Sequence, residues 1–351
     1  MTKLSGETLL IRADASVAIG TGHVMRCLAL AQAWQDAGGR VTFVMAESTP
    51  AVEERLRCEG AGLVRIDGVP GSDFDGERLI ALARTHGPSW VVVDGYEFGA
   101  GYQRSLKNER FKVVSIDDNG RTGTYAADVV LNQNIHAQEC LYKDRETYTR
   151  LLLGTKYALL RREFVSACQP REISSIARKL LVSMGGTDPD NVTRRVMEAI
   201  EKVEVADLQV VVVAGGSNPH LASIAESVAK CSHHCRILNN VTNMQTLISW
   251  ADLAISAAGS VCWEYCALGL PAALVAVAEN QIPNAEALHA AGAARLVPGG
   301  SRFPIGEMAQ LITRLANSVS ERQALSRTAR TLVDGGGAGR VISILMGEGT
   351  S

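Results

Sequence analysis

Between residues 8 and 39 the chain carries a pattern that few architectures can use. Thr8-Leu9-Leu10-Ile11 is an apolar run of strand length, and Gly20-Thr21-Gly22-His23 is a glycine turn. Val24, Cys27, Leu28, Ala31 and Trp34 then recur at helical spacing, and Gly38-Gly39 supplies the stop. A buried strand that feeds a helix through glycines exposes backbone N–H groups at the positive end of the helix dipole, where phosphate binds readily. His23 stands at that same helix entrance. There the dipole disfavours a second positive charge, leaving a neutral imidazole to accept a proton. Two plainer readings compete. His23 can be a capping residue, or the turn can open a dinucleotide site with Glu47 as its ribose acid. The dinucleotide fingerprint, however, needs a third glycine where this chain has Met25.

The same architecture recurs along the chain without repeating the sequence. In the first half, strands are expected at 41–45, 63–66, 90–94, 112–116 and 128–131, the last taken as the end of the sheet, with helices at 51–58 and 76–85. In the second half, strands are expected at 180–184, 208–214 and 252–256, with helices at 192–202 and 261–268. Further helices are expected at 283–291, 305–318, 321–333 and 338–346. Strands that are apolar throughout and alternate with helices indicate a parallel sheet covered on both faces. At 351 residues the chain is long for one core, so the expected fold class is α/β with two doubly wound, Rossmann-like domains. The expected boundaries are 1–157 for the first domain, 158–178 for a linker around Pro170, 179–335 for the second domain, and 336–351 for a last helix that can pack back on the first.

Ligands of such sheets collect beyond the carboxyl ends of the strands. The polar residues there are Asp14, His23, Asp94, Tyr96, Asp117 and Asp118, of which Asp117 and Asp118 read as turn or scaffold residues. The second half has its own turns: Gly185-Gly186-Thr187-Asp188-Pro189, Gly215-Gly216-Ser217 and Ala257-Ala258-Gly259-Ser260. Ser260 is a natural N-cap for the helix that follows. A capping box would need an acid at Trp263, but the acid is Glu264, one residue later and on the same helix face as Ser260. Glu264 is therefore available to a diol such as a ribose, or is simply a solvated surface residue.

Composition excludes several classes. With 46% hydrophobic and 21% charged residues the chain is globular. A net charge of −2 without a basic block argues against nucleic acid or an anionic membrane surface as partner. The longest apolar runs, such as 271–278, are too short to span a bilayer, and residues 1–7 lead into a strand without a signal peptide, so a cytoplasmic location is expected. Eight scattered cysteines suit reduced thiols. Cys231-Ser232-His233-His234-Cys235 holds four soft ligands, but one pentapeptide closes a tetrahedron poorly.

These residues carry a resemblance. Arg12-Ala13-Asp14-Ala15-Ser16 with Ile19 to Leu30, then Asp94-Gly95-Tyr96, then Gly154 to Arg161, then Ala258-Gly259-Ser260-x-x-Trp263-Glu264, Leu268-Gly269-Leu270-Pro271 and Ala278-Glu279-Asn280-Gln281 resemble, in order, the motifs of the UDP-sugar hydrolase family of pseudaminic (nonulosonic) acid biosynthesis. Those enzymes release UDP from UDP-2,4-diacetamido-2,4,6-trideoxy-β-L-altropyranose, and are related to the two-domain GT-B nucleotide-sugar glycosyltransferases. Cys262 departs mildly from the pattern, standing where a small polar residue is expected.

The resemblance implies hydrolysis of a UDP-sugar, a small-molecule partner, in a pathway that serves flagellin glycosylation. His23 is then the general base, and water displaces UDP with inversion at the anomeric carbon. Substrate-binding roles are implied for Asp14, Gly20, Gly22, Arg26, Asp94 and Tyr96 in the first domain, with Tyr96 as a contact and Asp94 as a positioning residue. In the second they are implied for Gly186, Gly259, Ser260, Val261, Glu264, Asn280 and Gln281, with Glu264 on the ribose. No metal or other cofactor is required, since N–H dipoles can stabilise the departing diphosphate. A GT-B glycosyltransferase moving the sugar to an acceptor, and a non-catalytic nucleotide-sugar binding protein, are the alternatives.

Overall fold

The computed structural model describes residues 4–16, 19–120, 123–216 and 218–347. Residues 1–3, 17, 18, 121, 122, 348–351 and Ser217 of the Gly215-Gly216-Ser217 turn lie outside the described residues. The chain divides into two units: Met1–Arg162 with Gly335–Ser351, and Glu163–Asp334.

The first unit is built on β1 (Thr8–Ala13), in which every residue is buried. In chain order follow α1 (Gly22–Asp36), β2 (Arg40–Met45), α2 (Pro50–Cys58), β3 (Gly62–Arg65), α3 (Asp73–His86), β4 (Trp90–Asp94), α4 (Ala100–Asn108), β5 (Val113–Ile116), β6 (Val129–Asn132) and β7 (Arg150–Leu153). The seven strands pair in the order β3-β2-β1-β4-β5-β6-β7, and every pairing is parallel. Strands β4, β5 and β6 are buried at every position, as a sheet covered on both faces requires, whereas the edge strands β3 and β7 are partly exposed. Helix α1 buries Val24, Cys27, Leu28 and Trp34 against this sheet. Gly39 must lack a side chain, because a Cβ there would fall inside the Trp34 ring.

The short α5 (Arg162–Ser166) carries the chain across the division into the second unit. There β8 (Lys179–Ser183), α6 (Val192–Ile200), β9 (Gln209–Ala214), α7 (Leu221–Lys230), β10 (His234–Asn239), α8 (Met244–Trp250), β11 (Leu253–Ala257), α9 (Val261–Leu268), β12 (Ala272–Val275), α10 (Ile282–Ala290), β13 (Arg295–Leu296), α11 (Ile305–Asn317) and α12 (Val319–Leu332) follow in order. Six parallel strands lie in the order β10-β9-β8-β11-β12-β13. The last helix, α13 (Gly337–Leu345), returns to the first unit. Its Val341, Ile342 and Leu345 enter the core around β1 and α1, and the Trp90 indole donates to the Leu345 carbonyl at 3.0 Å.

The structure differs from the sequence expectation at the edges. The first sheet does not end with β6: Arg150-Leu151-Leu152-Leu153 adds a seventh strand, too short for a period to show. Helices α4, α7 and α8 and strand β10 were not anticipated either; β10 starts at His234, inside the cysteine–histidine cluster. Within the span expected to be a linker, Leu159 is held in the first unit by the Gln133 side chain at 2.8 Å. Further on, Arg171 donates to the carbonyls of Ile248 and Ala251, and Ser174 to Asp252, which ties that stretch into the second unit. Among the described residues no helix is long and apolar enough to cross a membrane.

Candidate functional site

In both units the strand order reverses beside the first strand, between β1 and β4 and between β8 and β11. At such a switch point neighbouring crossovers leave toward opposite faces and open a crevice beyond the strand ends. Most of the expected site residues fall at these two places, while Asn280 and Gln281 follow the next strand, β12.

In the first unit α1 begins at Gly22, preceded by Gly20 at φ +74°, a conformation glycine adopts without strain. The Thr21 side chain makes no capping bond and the first turn holds no acid. The anion-attracting end of α1 is thus not neutralised from within the helix. His23, the second helical residue, is half-buried. The ring of Tyr96, itself 49% exposed, meets it edge to face, with centroids 5.2 Å apart and planes at 79°.

Behind this pair lies a charged anchor. Arg26, one turn into α1, is 6% exposed. Its Nε and Nη2 donate to the two oxygens of Asp94 at 2.7 and 2.6 Å, and its Nη1 donates to Asp118 Oδ1 at 2.6 Å. Burial opposes the charge of Arg26, but Asp118 and Asp94 more than offset it and keep the guanidinium firmly protonated. Burial likewise pushes the Asp118 carboxyl up. The positive charge of Arg26, its hydrogen bond, a second one from Asn134 (2.9 Å) and the proximity of His23 outweigh that and bring it down to about 2. The other oxygen, Oδ2, accepts a long 3.4 Å bond from the Tyr96 hydroxyl. Cys27 donates to Asp94 at 3.2 Å; burial first, then the Asp94 charge, holds its thiol far from ionisation, so it is no nucleophile.

Three of the expected site residues are held by other side chains or by backbone. Asp94 is fully buried with both oxygens on Arg26, which fits the positioning role expected of it, and Arg26 is held by two carboxylates. Asp14, also buried, pairs with Arg12 at 2.7 Å and accepts the amides of Ala46 and Glu47, locking the end of β1 to that of β2. Asp118, read from sequence as a turn or scaffold residue, stands between Arg26 and Tyr96.

In the second unit Gly185 (φ +89°) and Gly186 turn the chain after β8, and Gly186 is exposed. The turn after β9 presses on it so closely that a Cβ on Gly215 would overlap the Gly186 backbone. After β11 the chain passes Gly259 and the exposed Ser260 into α9, with Val261 and Glu264 partly exposed on its first turn. The expected Ser260 cap does not form. Its backbone is already helical (φ −60°, ψ −21°), whereas a capping hydroxyl needs the extended conformation to reach back to the amides. Gln281 also differs from expectation in part. Its Oε1 accepts the amides of Ala258 and Val277, each at 3.2 Å, and so clamps the turn after β11 to the one after β12. Only its NH2 group remains for a ligand, on the side of Gly259. The neighbouring Asn280 is exposed.

Comparison with known proteins agrees with this layout. Residues 180–332, nearly all of the second unit, match the model of the Glycosyltransferase family 28 C-terminal domain. The chain is 28% identical over 198 residues to the spore coat polysaccharide biosynthesis protein SpsG of Bacillus subtilis. That alignment covers 56% of this chain and 58% of SpsG, so the chain spans little more than half of that relative. It is 25% identical over 258 residues to the UDP-2,4-diacetamido-2,4,6-trideoxy-beta-L-altropyranose hydrolase of Campylobacter jejuni, covering 72% of this chain and 85% of the hydrolase. In fold it is similar to MurG of Acinetobacter baumannii, with a TM-score of 0.67 at 18% identity over 97% of this chain and 99% of that one. The resemblance to the hydrolase and the GT-B fold expected from the motifs both hold.

The Asp118 anchor has a measurable consequence in acid. An unfolded carboxyl titrates near about 3.9, and the folded one at about 2. Its stabilising contribution is therefore complete above the unfolded value and is lost as pH falls through the folded one. Asp118→Asn should destabilise the protein more at pH 6 than at pH 3, by roughly 1 kcal/mol. Urea unfolding at the two pH values measures this, and equal penalties would contradict the charged anchor.

Proposed function

We propose that this protein hydrolyses a UDP-linked 2,4-diacetamido-2,4,6-trideoxy sugar to UDP and the free sugar, as a step of pseudaminic acid biosynthesis and, through it, of flagellin glycosylation. The observation that carries the reading is His23: a half-buried imidazole on an uncapped helix entrance, set against Tyr96 and backed by the Arg26 anchor. Similarity to a named hydrolase over most of that enzyme's length supports the substrate class.

The chemistry follows from the groups present. The second unit takes the nucleotide: Glu264 accepts the ribose hydroxyls, and backbone amides around Gly186, Gly259, Ser260 and Val261 meet the diphosphate. The first unit supplies the base, with Gly20 and Gly22 allowing the backbone close approach. His23 removes a proton from water, whose oxygen bonds to the anomeric carbon. The bond from that carbon to the diphosphate oxygen breaks, and its electron pair leaves with UDP. Attack opposite the leaving group inverts the anomeric centre. Amide dipoles stabilise the charge that develops on the diphosphate, which needs no metal. Tyr96, Asn280 and the Gln281 amide are the polar groups left to read the sugar's substituents. A UDP-sugar substrate fits a cytoplasmic location.

The family 28 match favours a second reading, a glycosyltransferase that delivers the same sugar to an acceptor. It shares the nucleotide contacts and differs in needing an acceptor hydroxyl where the hydrolase uses water.

Two variants separate these roles. His23→Asn keeps the size and one hydrogen-bonding group but removes the base, so turnover should fall about 10²–10⁴-fold with UDP affinity kept. Near-normal turnover would reduce His23 to a structural residue. Glu264→Ala should weaken UDP binding by about 1.5–3 kcal/mol, roughly ten- to a hundredfold, without slowing the chemical step. Calorimetry with UDP reads this directly, and unchanged affinity would make Glu264 a surface residue.

A further inference from the structure

Arg26 is neutralised once by Asp94, in a two-pronged pair that consumes both oxygens of a fully buried carboxylate. A second carboxylate on the same guanidinium exceeds what charge neutrality needs. Asp118 is nevertheless there, 2.6 Å from Nη1 and with a side chain 17% exposed. One positive and two negative charges leave an excess of one negative charge at this edge of the site. Such an excess repels a diphosphate, so its use must lie elsewhere. A group nearby that gains positive charge during the proposed reaction is His23.

Geometry connects the two. Among the described residues no ion pair joins Asp118 to His23. The link runs through Tyr96, whose ring edges against the imidazole and whose hydroxyl donates to Asp118 Oδ2. Oδ1 is fixed by Arg26 and Asn134, so the orientation of Oδ2 is set from behind. The backbone of Asp118 is held too: its carbonyl accepts from Asn132 at 2.8 Å and lies 3.3 Å from His136 Nε2. The other charged or titratable groups around it are accounted for. Asp94 is paired, Asp117 accepts from the Tyr142 hydroxyl and the Gly120 amide, and His136 is disfavoured as a cation by burial.

We propose that Asp118 is a positioning residue for His23: through the Tyr96 hydroxyl it fixes the ring against which the imidazole rests, and its charge balances the imidazolium formed when water gives up its proton. A base held by a second group, itself held by a third, is a general device for activating a nucleophile, here with a phenol ring in the middle position. The catalytic meaning rests on His23 being the base, as argued above; the coupling itself does not.

The test is therefore read first without substrate. The His23 ring protons, assigned by their loss in His23→Asn, are titrated by NMR in the parent protein and in Asp118→Asn. Removing a unit charge several ångströms away should lower the proton affinity of His23 about three- to tenfold, moving its midpoint to lower pH. An unmoved midpoint in a folded Asp118→Asn protein would overturn the coupling. Asp118→Glu retains the charge on Arg26 and serves also where the Asn variant does not fold. It should keep the midpoint within about twofold while kcat drops at least tenfold with KM little changed; full kcat would overturn the positioning role. If the parent protein hydrolyses no UDP-sugar, the hydrolase reading fails, and the titration still decides whether Asp118 acts on His23.

Discussion

A guanidinium that is 6% exposed cannot stay charged in a protein interior without partners. Arg26 has found them on two neighbouring strands, Asp94 closing β4 and Asp118 just past the end of β5. Much of the first unit's chemistry depends on this fork. It sets how deep α1 sits against the ends of the strands and therefore where the next turn up, carrying His23, meets Tyr96. Removing either carboxylate would strip the buried guanidinium of short charge-assisted hydrogen bonds that tie the helix to that strand. The fork thus acts as a register pin between a helix and two strands.

The second unit solves the same positioning problem without charge. Its turns after β8, β9, β11 and β12 are drawn together by backbone contact at Gly186 and Gly215 and by the Gln281 amide oxygen, which holds two main-chain N–H groups. Backbone so arranged presents dipoles instead of side-chain charges, which suits a nucleotide whose own charge is large. The difference between the units follows the division of labour proposed for them. A proton acceptor needs tuned side-chain electrostatics, whereas a diphosphate needs amides.

The sequence revealed the parts of this that are local. The glycine turn before His23, the apolar strands and the Ser260–Glu264 helix all announce themselves within a few residues, and the strands buried on both faces were read to within a residue or two. What it concealed depends on neighbours distant in the chain. Arg26 and Asp94 are 68 residues apart, and nothing in either segment says that they neutralise each other. The resemblance implied a ligand role for Asp14 and a positioning one for Asp94, but only the fold shows Asp14 holding the ends of β1 and β2 together and Asp94 holding Arg26. Asp118 was read as a turn or scaffold residue because an Asp at a strand end often caps the next turn, and only the placement of β5 beside β4 brings it to Arg26. Ser260 had the right chemistry for a cap but the wrong backbone torsion. Edge strand β7 has only four residues, and β10 starts inside the cysteine–histidine cluster.

The central claim is that water, activated in the first unit, attacks the anomeric carbon of a UDP-sugar bound by the second. Its most direct test is turnover of UDP-2,4-diacetamido-2,4,6-trideoxy-β-L-altropyranose in water labelled with oxygen-18, with no acceptor present. The products are then weighed by mass spectrometry. The account predicts one labelled oxygen in the free sugar and none in UDP. Label in UDP would mean attack at phosphorus, and an absence of turnover until an acceptor is added would mean a transferase; either result would contradict it.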